Sequence, residues 1–186
     1  MSAGWGRIAR RIRVPMGFVF AALFLWQARP SAVSLGLSLL LTVPGVALRA
    51  YASGYVTKDT ELTTTGPYAY TRNPLYLGSM LIAFGFAAAS RNGWIALLLA
   101  GLFALIYIPT IRSEEEYLRG RFPEFAAYCR RVPRLLPRLA WPVRTAAATF
   151  SSGLYRRHRE YNATLGTLAI YAVLLLKLFF WHGAGD

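Results

Sequence analysis

Long uncharged runs alternate with short polar punctuation along this chain. Ser31–Leu48, Asn73–Ser90 and Asn92–Ile111 each approach the roughly 20 apolar residues that a helix needs to cross a bilayer's hydrocarbon core. Val14–Ala28 and Asn162–Leu176 are shorter, and reach the interfaces if Arg29 and Lys177 extend their charges outward. The pattern predicts an all-α, polytopic transmembrane bundle of five spans, near residues 14–28, 31–50, 74–90, 92–111 and 162–181, forming one domain over residues 1–186. Two connections, Ala28–Ser31 and Arg91–Gly93, are so short that spans one and two, and spans three and four, are expected to pack as antiparallel hairpins.

The other two connections are built differently. Residues 51–72 are polar and turn-rich, and residues 112–161 form a segment long enough to carry function. Within it Glu114–Phe122 can continue the fourth helix, and Phe125–Tyr128 is apolar and aromatic. Pro133 and Pro137 impose an extended path on Val132–Leu139. Ala146–Gly153 reads as a joint, and Tyr155–Tyr161 as an interfacial anchor for anionic lipid. The last span has no chemistry of its own and is expected to close the bundle.

Charge orients this bundle. The chain has 186 residues, 55% hydrophobic and 16% charged, with a net charge of +13. Arg7, Arg10, Arg11 and Arg13 precede the first span, Lys58 and Arg72 lie between the second and third, and eleven arginines lie between the fourth and fifth. The opposite side holds little beyond Arg29, Arg91 and Lys177. This asymmetry predicts a cytoplasmic N-terminus and working face, with the C-terminus on the other side. It accounts for the basic charge without a nucleic-acid partner. A signal peptide is the alternative for the first span, but no small-residue cleavage site follows Trp26. The lone Cys129 forms no internal disulfide.

Two polar clusters can carry chemistry. The first runs from Thr60 to Gly78 and contains the hydroxyls of Thr60, Thr63, Thr64 and Thr65, the Gly66-Pro67 turn, Tyr68 and Tyr70, and Arg72-Asn73-Pro74. Pro74 suits a first helical turn and Asn73 suits its N-cap. The second is Arg112-Ser113-Glu114-Glu115-Glu116-Tyr117-Leu118. On a helix Glu114 shares a side with Tyr117 and Leu118 and can face a cavity, whereas Glu115 and Glu116 are expected on a solvated face, pairing with Arg119 and Arg121. With two histidines and one cysteine no metal cluster can be built, and neither a Gly-x-Gly-x-x-Gly turn nor a Ser-His-Asp set is present. Hydroxyls, aromatic rings and carboxylates suit a polar, cationic or zwitterionic cofactor.

These motifs resemble those of the isoprenylcysteine carboxyl methyltransferase and phospholipid methyltransferase superfamily of membrane enzymes. The resemblance covers roughly Tyr51–Pro137 and rests on Gly66-Pro67-Tyr68, Arg72-Asn73-Pro74-Leu75-Tyr76, Glu114-Glu115-x-x-Leu118, Phe122, Tyr128 and Val132-Pro133-Arg134. It implies S-adenosylmethionine as methyl donor and a lipid or prenylated acceptor reaching the site from the bilayer, with isoprenylcysteine carboxyl O-methylation the nearest analogy. Carried over by position, it implies Thr60, Glu61, Leu62, Thr63, Tyr68, Asn73, Pro74, Leu75, Tyr76, Glu114 and Tyr128 as cofactor contacts, and Arg72 and Arg112 as catalytic. Three departures stand out: Asn73 replaces a frequent His, Pro123 replaces a usual Gly, and Arg112 lies closer to the acidic pair than the family's substrate-binding arginine. A second resemblance, of Tyr128-Cys129-Arg130-Arg131-Val132-Pro133 to the end of sterol reductases, implies instead a nicotinamide cofactor. The third alternative is a non-catalytic lipid-binding membrane protein.

Overall fold

The computed structural model describes residues 3–57, 60–138 and 149–182, with side chains from Pro15 to Phe180 within those ranges. All regular structure in them is helical. The long helices are α1 (Ala3–Gln27), α2 (Ala32–Ser53), α3 (Pro74–Ser90), α4 (Gly93–Arg121) and α7 (Tyr161–His182); α5 (Phe125–Arg131) and α6 (Ser152–Arg157) are short. α2, α4 and α7 are each long and apolar enough to cross a bilayer, while Pro15–Gln27 and Pro74–Ser90 are shorter apolar helices. Large apolar side chains point outward along them, such as Leu40 on α2, Leu97 on α4 and Phe179 on α7. Such a surface is stable only against lipid, where helices also satisfy their own backbone polar groups.

Small residues bring α2 and α3 together. A Cβ on Gly45 would lie 2.8 Å from the Gly78 carbonyl oxygen, and one on Gly85 would overlap Thr42 Oγ1, so the two backbones approach as closely as glycine permits. Because α3 occupies this face of α2, the expected hairpin of the first two spans is not the principal pairing: α1 packs mainly on the second half of α4. The α3–α4 hairpin forms as expected, with Arg91 at φ 55° in the left-handed turn and Asn92 capping the Trp94 amide at 3.0 Å.

α7 does close the bundle. The Tyr171 hydroxyl bonds to Ser38 Oγ at 2.6 Å and Thr42 Oγ1 at 2.9 Å. Lys177 does not extend outward: its ammonium donates to the carbonyls of Leu25, Trp26 and Ala28 at 2.6, 3.0 and 2.7 Å. Those oxygens lie at the C-terminal end of α1, where no further turn supplies an amide. One apolar core, including Phe24, Leu35, Phe86, Leu99 and Leu174, sits at this end of the bundle. A second, Phe125, Tyr128 and Val132, sits at the polar end.

In α4 the i−4 ladder breaks at a π-turn, Phe103–Tyr107, where the Ile108 amide reaches back to the Phe103 carbonyl. Pro109 follows and has no amide to donate, so the helix accommodates it by widening one turn. The helix then continues to Arg121, as the sequence predicts. Residues 132–138 leave the helix, as the two prolines require, but bend at 134–136 where an extended path is expected, with the Arg72 amide on the Pro133 carbonyl at 2.9 Å and the Arg138 amide on the Tyr70 carbonyl at 3.0 Å. The expected joint at Ala146–Gly153 lies partly outside the described residues; from Ser151 onward the chain is tied to α2, the Ser151 amide bonding to the Gly54 carbonyl at 2.9 Å.

Candidate functional site

At the polar end, the turn before α3, the second half of α4, and α5 enclose a cavity of about 740 Å3. Pro74 starts α3 as expected, but Asn73 makes no side-chain cap. Its amide instead donates to Glu115 Oε1 at 3.3 Å and to the Arg134 carbonyl at 3.0 Å. Glu115 is the centre of this cluster. Its Oε2 accepts from Arg134 Nε and Nη2 at 3.0 and 2.8 Å, and its Oε1 lies 3.2 Å from Arg72 Nη2. The expectation of a solvated Glu115 is therefore corrected: its side chain is only 6% exposed, because α4 turns that face under the residues 71–73 and 133–134. Glu116 is exposed as expected.

One helical position earlier, Glu114 faces the cavity. Tyr76 donates its hydroxyl to Glu114 Oε1 at 2.8 Å, and Glu114 has no ion-pair partner among the described residues. Tyr76 also meets Tyr107 edge-on at 5.7 Å, and Tyr107 stacks on Phe103 at 5.0 Å. The π-turn thus sets an aromatic wall opposite α3. Tyr128 donates to the Tyr68 carbonyl at 2.6 Å, joining α5 to the turn before α3. Burial pushes the pKa values of both Tyr68 and Tyr128 well above the ordinary tyrosine value, so both stay neutral at any physiological pH.

Of the sequence-predicted residues, the fold brings Glu61, Leu62, Thr63, Tyr68, Arg72, Asn73, Pro74, Leu75, Tyr76, Glu114 and Tyr128 to the cavity lining. Thr60 and Arg112 are exposed and do not line it. Arg72 is turned into the Glu115 cluster, with its Nε buried and without a partner among the described residues. Sequence reasoning missed Arg49, Thr57, Ser79, Tyr107, Glu115 and Glu160, all of them in the lining. Arg49 carried a usable signal, a charge adjoining an apolar span. Glu160 carried none, since its place depends on how α7 docks.

Below the polar cavity lies an apolar one of about 360 Å3 among α1, α3, α4 and α7, lined by residues such as Phe20, Phe24, Ile82, Phe86, Leu99 and Ile170. The two cavities share Arg49, Ser79 and Tyr107 in their linings, so they adjoin where α2, α3 and α4 meet.

Residues 44–124 match the family model described as phospholipid methyltransferase. Over that stretch, less than half of its length, the chain is similar to that family. The matched stretch begins near Pro44 in α2 and ends at Glu124, so it covers α3, α4 and most of the polar cavity. Among curated proteins, the chain is 37% identical to the cobalt-zinc-cadmium resistance protein CzcN of Cupriavidus metallidurans over 137 residues, 69% of this chain and 62% of that protein. It is 43% identical to the nickel-cobalt-cadmium resistance protein NccN of Alcaligenes xylosoxydans xylosoxydans over 101 residues, 54% of this chain and 46% of that one. The chain thus spans less than two thirds of the curated relatives it matches. No solved structure matches it.

Proposed function

We propose that this chain transfers a methyl group from S-adenosylmethionine to an apolar-tailed acceptor at the cytoplasmic face of a membrane. The observation that carries this reading is Glu114: a cavity-facing carboxylate whose one side-chain partner among the described residues is a neutral phenol, flanked by aromatic rings. A carboxylate so placed favours a cationic ligand, and the rings add cation–π attraction. The cofactor supplies an electrophilic methyl group on a sulfonium. Glu114 would hold its amino or ribose end, with Tyr76, Tyr68, Asn73-Pro74-Leu75 and the Glu61–Thr63 turn completing the pocket. The chain's own contribution is to position the reactants and exclude water, since charge disperses in such a displacement and a strong acid or base is not required.

The volume, about 740 Å3, suits a ligand of nucleoside size. The adjoining apolar cavity suits a lipid or prenyl tail reaching the site from the bilayer. Isoprenylcysteine carboxyl O-methylation is the nearest analogy for the acceptor. Charge counts against the nicotinamide alternative: the lining of the polar cavity offers four carboxylates against two guanidinium groups, a poor host for a multiply phosphorylated cofactor. If the chain shares the setting in which its curated relatives are named, its part in metal tolerance is modification of a membrane component.

Calorimetric titration of the detergent-purified chain with S-adenosylhomocysteine tests the reading. Micromolar binding lost in Glu114→Gln is the expected result. No binding, or a preference for reduced nicotinamide dinucleotide, overturns it.

A further inference from the structure

The apolar cavity and the polar cavity meet at one charged group. Arg49 is the only charged residue in the described lining of the apolar cavity, and it lines the polar cavity too. Its guanidinium is held by two different kinds of partner. Nη1 donates to the Leu75 carbonyl at 3.2 Å and to Ser79 Oγ, both on α3. Because α2 and α3 are locked together at Gly45 and Gly78, this half of the fork is fixed by the packed core. The other half faces Glu160, with Nε at 3.1 Å from Oε2 and Nη2 at 3.0 and 2.8 Å from Oε1 and Oε2. Glu160 belongs to no helix: it lies between Arg159, at φ 54°, and the start of α7. The two side chains remain 22% and 13% exposed.

A planar fork engaging both oxygens of a carboxylate is the geometry in which arginine recognises any carboxylate or phosphate. From its position, a molecule whose tail fills the apolar cavity would bring its head to this fork, beside Tyr107 and within the chamber that Glu114 faces. We infer that Arg49 is the specificity-determining contact for an acidic headgroup, carboxylate or phosphate monoester, on an apolar-tailed ligand, and that Glu160 is an internal stand-in which the headgroup displaces. This deepens the methyl-transfer reading, and rests on it for treating that ligand as the acceptor. The binding site itself rests on the two cavities and the ion pair.

The test is retention of tritiated dodecanoate by the immobilised full chain in non-ionic detergent, with dodecyl phosphate and dodecanol as competitors. S-adenosylhomocysteine binding is measured on the same preparations. Saturable binding is expected, with an acidic competitor about tenfold stronger than dodecanol; whichever acid competes better names the headgroup. Arg49→Gln should weaken binding about tenfold and Arg49→Lys recover part of the loss, while Glu160→Gln should tighten it about threefold by removing the competitor. Should Arg49→Gln fail to fold, Glu160→Gln carries the test alone, since a damaged fold does not bind more tightly. Dodecanol competing as well as the acids, or Glu160→Gln losing binding, overturns the inference. Intact homocysteine-adduct binding without acid selectivity removes this site and leaves the methyl-transfer reading standing; acid selectivity without adduct binding keeps the site and removes the reaction.

Discussion

Glu115 holds the floor of the polar cavity, and its removal separates two ways of ranking the ion pairs around it. By distance Arg134 comes first, with two bonds at 2.8 and 3.0 Å against 3.2 Å for Arg72. By burial the order reverses: the Arg72 side chain is 11% exposed and that of Arg134 is 42% exposed. Burial should decide, because water re-solvates an exposed guanidinium but not a buried one. Breaking a buried pair costs about 3–5 kcal/mol, since the surviving charge is stranded, whereas an exposed pair contributes about 0–1 kcal/mol. Without Glu115, Arg72 keeps only a 3.4 Å bond to the Cys129 carbonyl, and its Nε already lacks a partner among the described residues. Glu115→Gln, nearly isosteric, should therefore destabilise the chain by about 3 kcal/mol. Unfolding in mixed dodecyl maltoside and dodecyl sulfate micelles, followed by circular dichroism, reads this directly. In double-mutant cycles the coupling of Glu115 to Arg72 should exceed about 1 kcal/mol, and its coupling to Arg134 should fall below that. A near-neutral Glu115→Gln, or a larger coupling to Arg134, would refute the burial argument.

Lys177→Met leaves three carbonyls at the end of α1 without their donor and should cost about 1–2 kcal/mol in the same assay, with adenosylhomocysteine affinity unchanged in the folded fraction. Tyr68 and Tyr128 have folded pKa values raised by burial. Above about pH 10 the unfolded chain loses protons that the folded chain keeps, so stability is full below that pH and falls as pH rises beyond it. A titration at 295 nm should then show fewer than the chain's 11 tyrosines ionising before unfolding; ionisation of all 11 in the folded state would contradict the burial. Cys129, the one cysteine, is half-buried beside the polar cavity. A membrane-impermeant maleimide should label it in inverted vesicles and not in right-side-out ones, and the reverse pattern would overturn the proposed cytoplasmic orientation.

Hydropathy by itself determined the helical class, the approximate limits of the long apolar helices after the first, the tight turns at Ser31 and Asn92, and the continuation of α4 beyond its apolar stretch. These are consequences of local composition and of the length a bilayer demands, so they survive without knowledge of partners. The motif residues Tyr68, Asn73, Tyr76, Glu114 and Tyr128 were legible for a related reason: they lie in the turn before α3, on its first turn, or on faces of α4 and α5 set by helical periodicity. What periodicity could not tell was which neighbour covers a face. Glu114, Glu115 and Glu116 are alike in sequence, yet one faces the cavity, one is enclosed by two arginines and one meets solvent. Tertiary packing alone decided that α1 rests on α4, that Asn73 serves Glu115 and not its own helix, and that Lys177 caps α1. It also set Glu160 against Arg49 across 111 residues of chain. The physical reason is common to all of these: a polar group taken out of water must find a partner wherever the fold supplies one, and that partner need not be near in sequence.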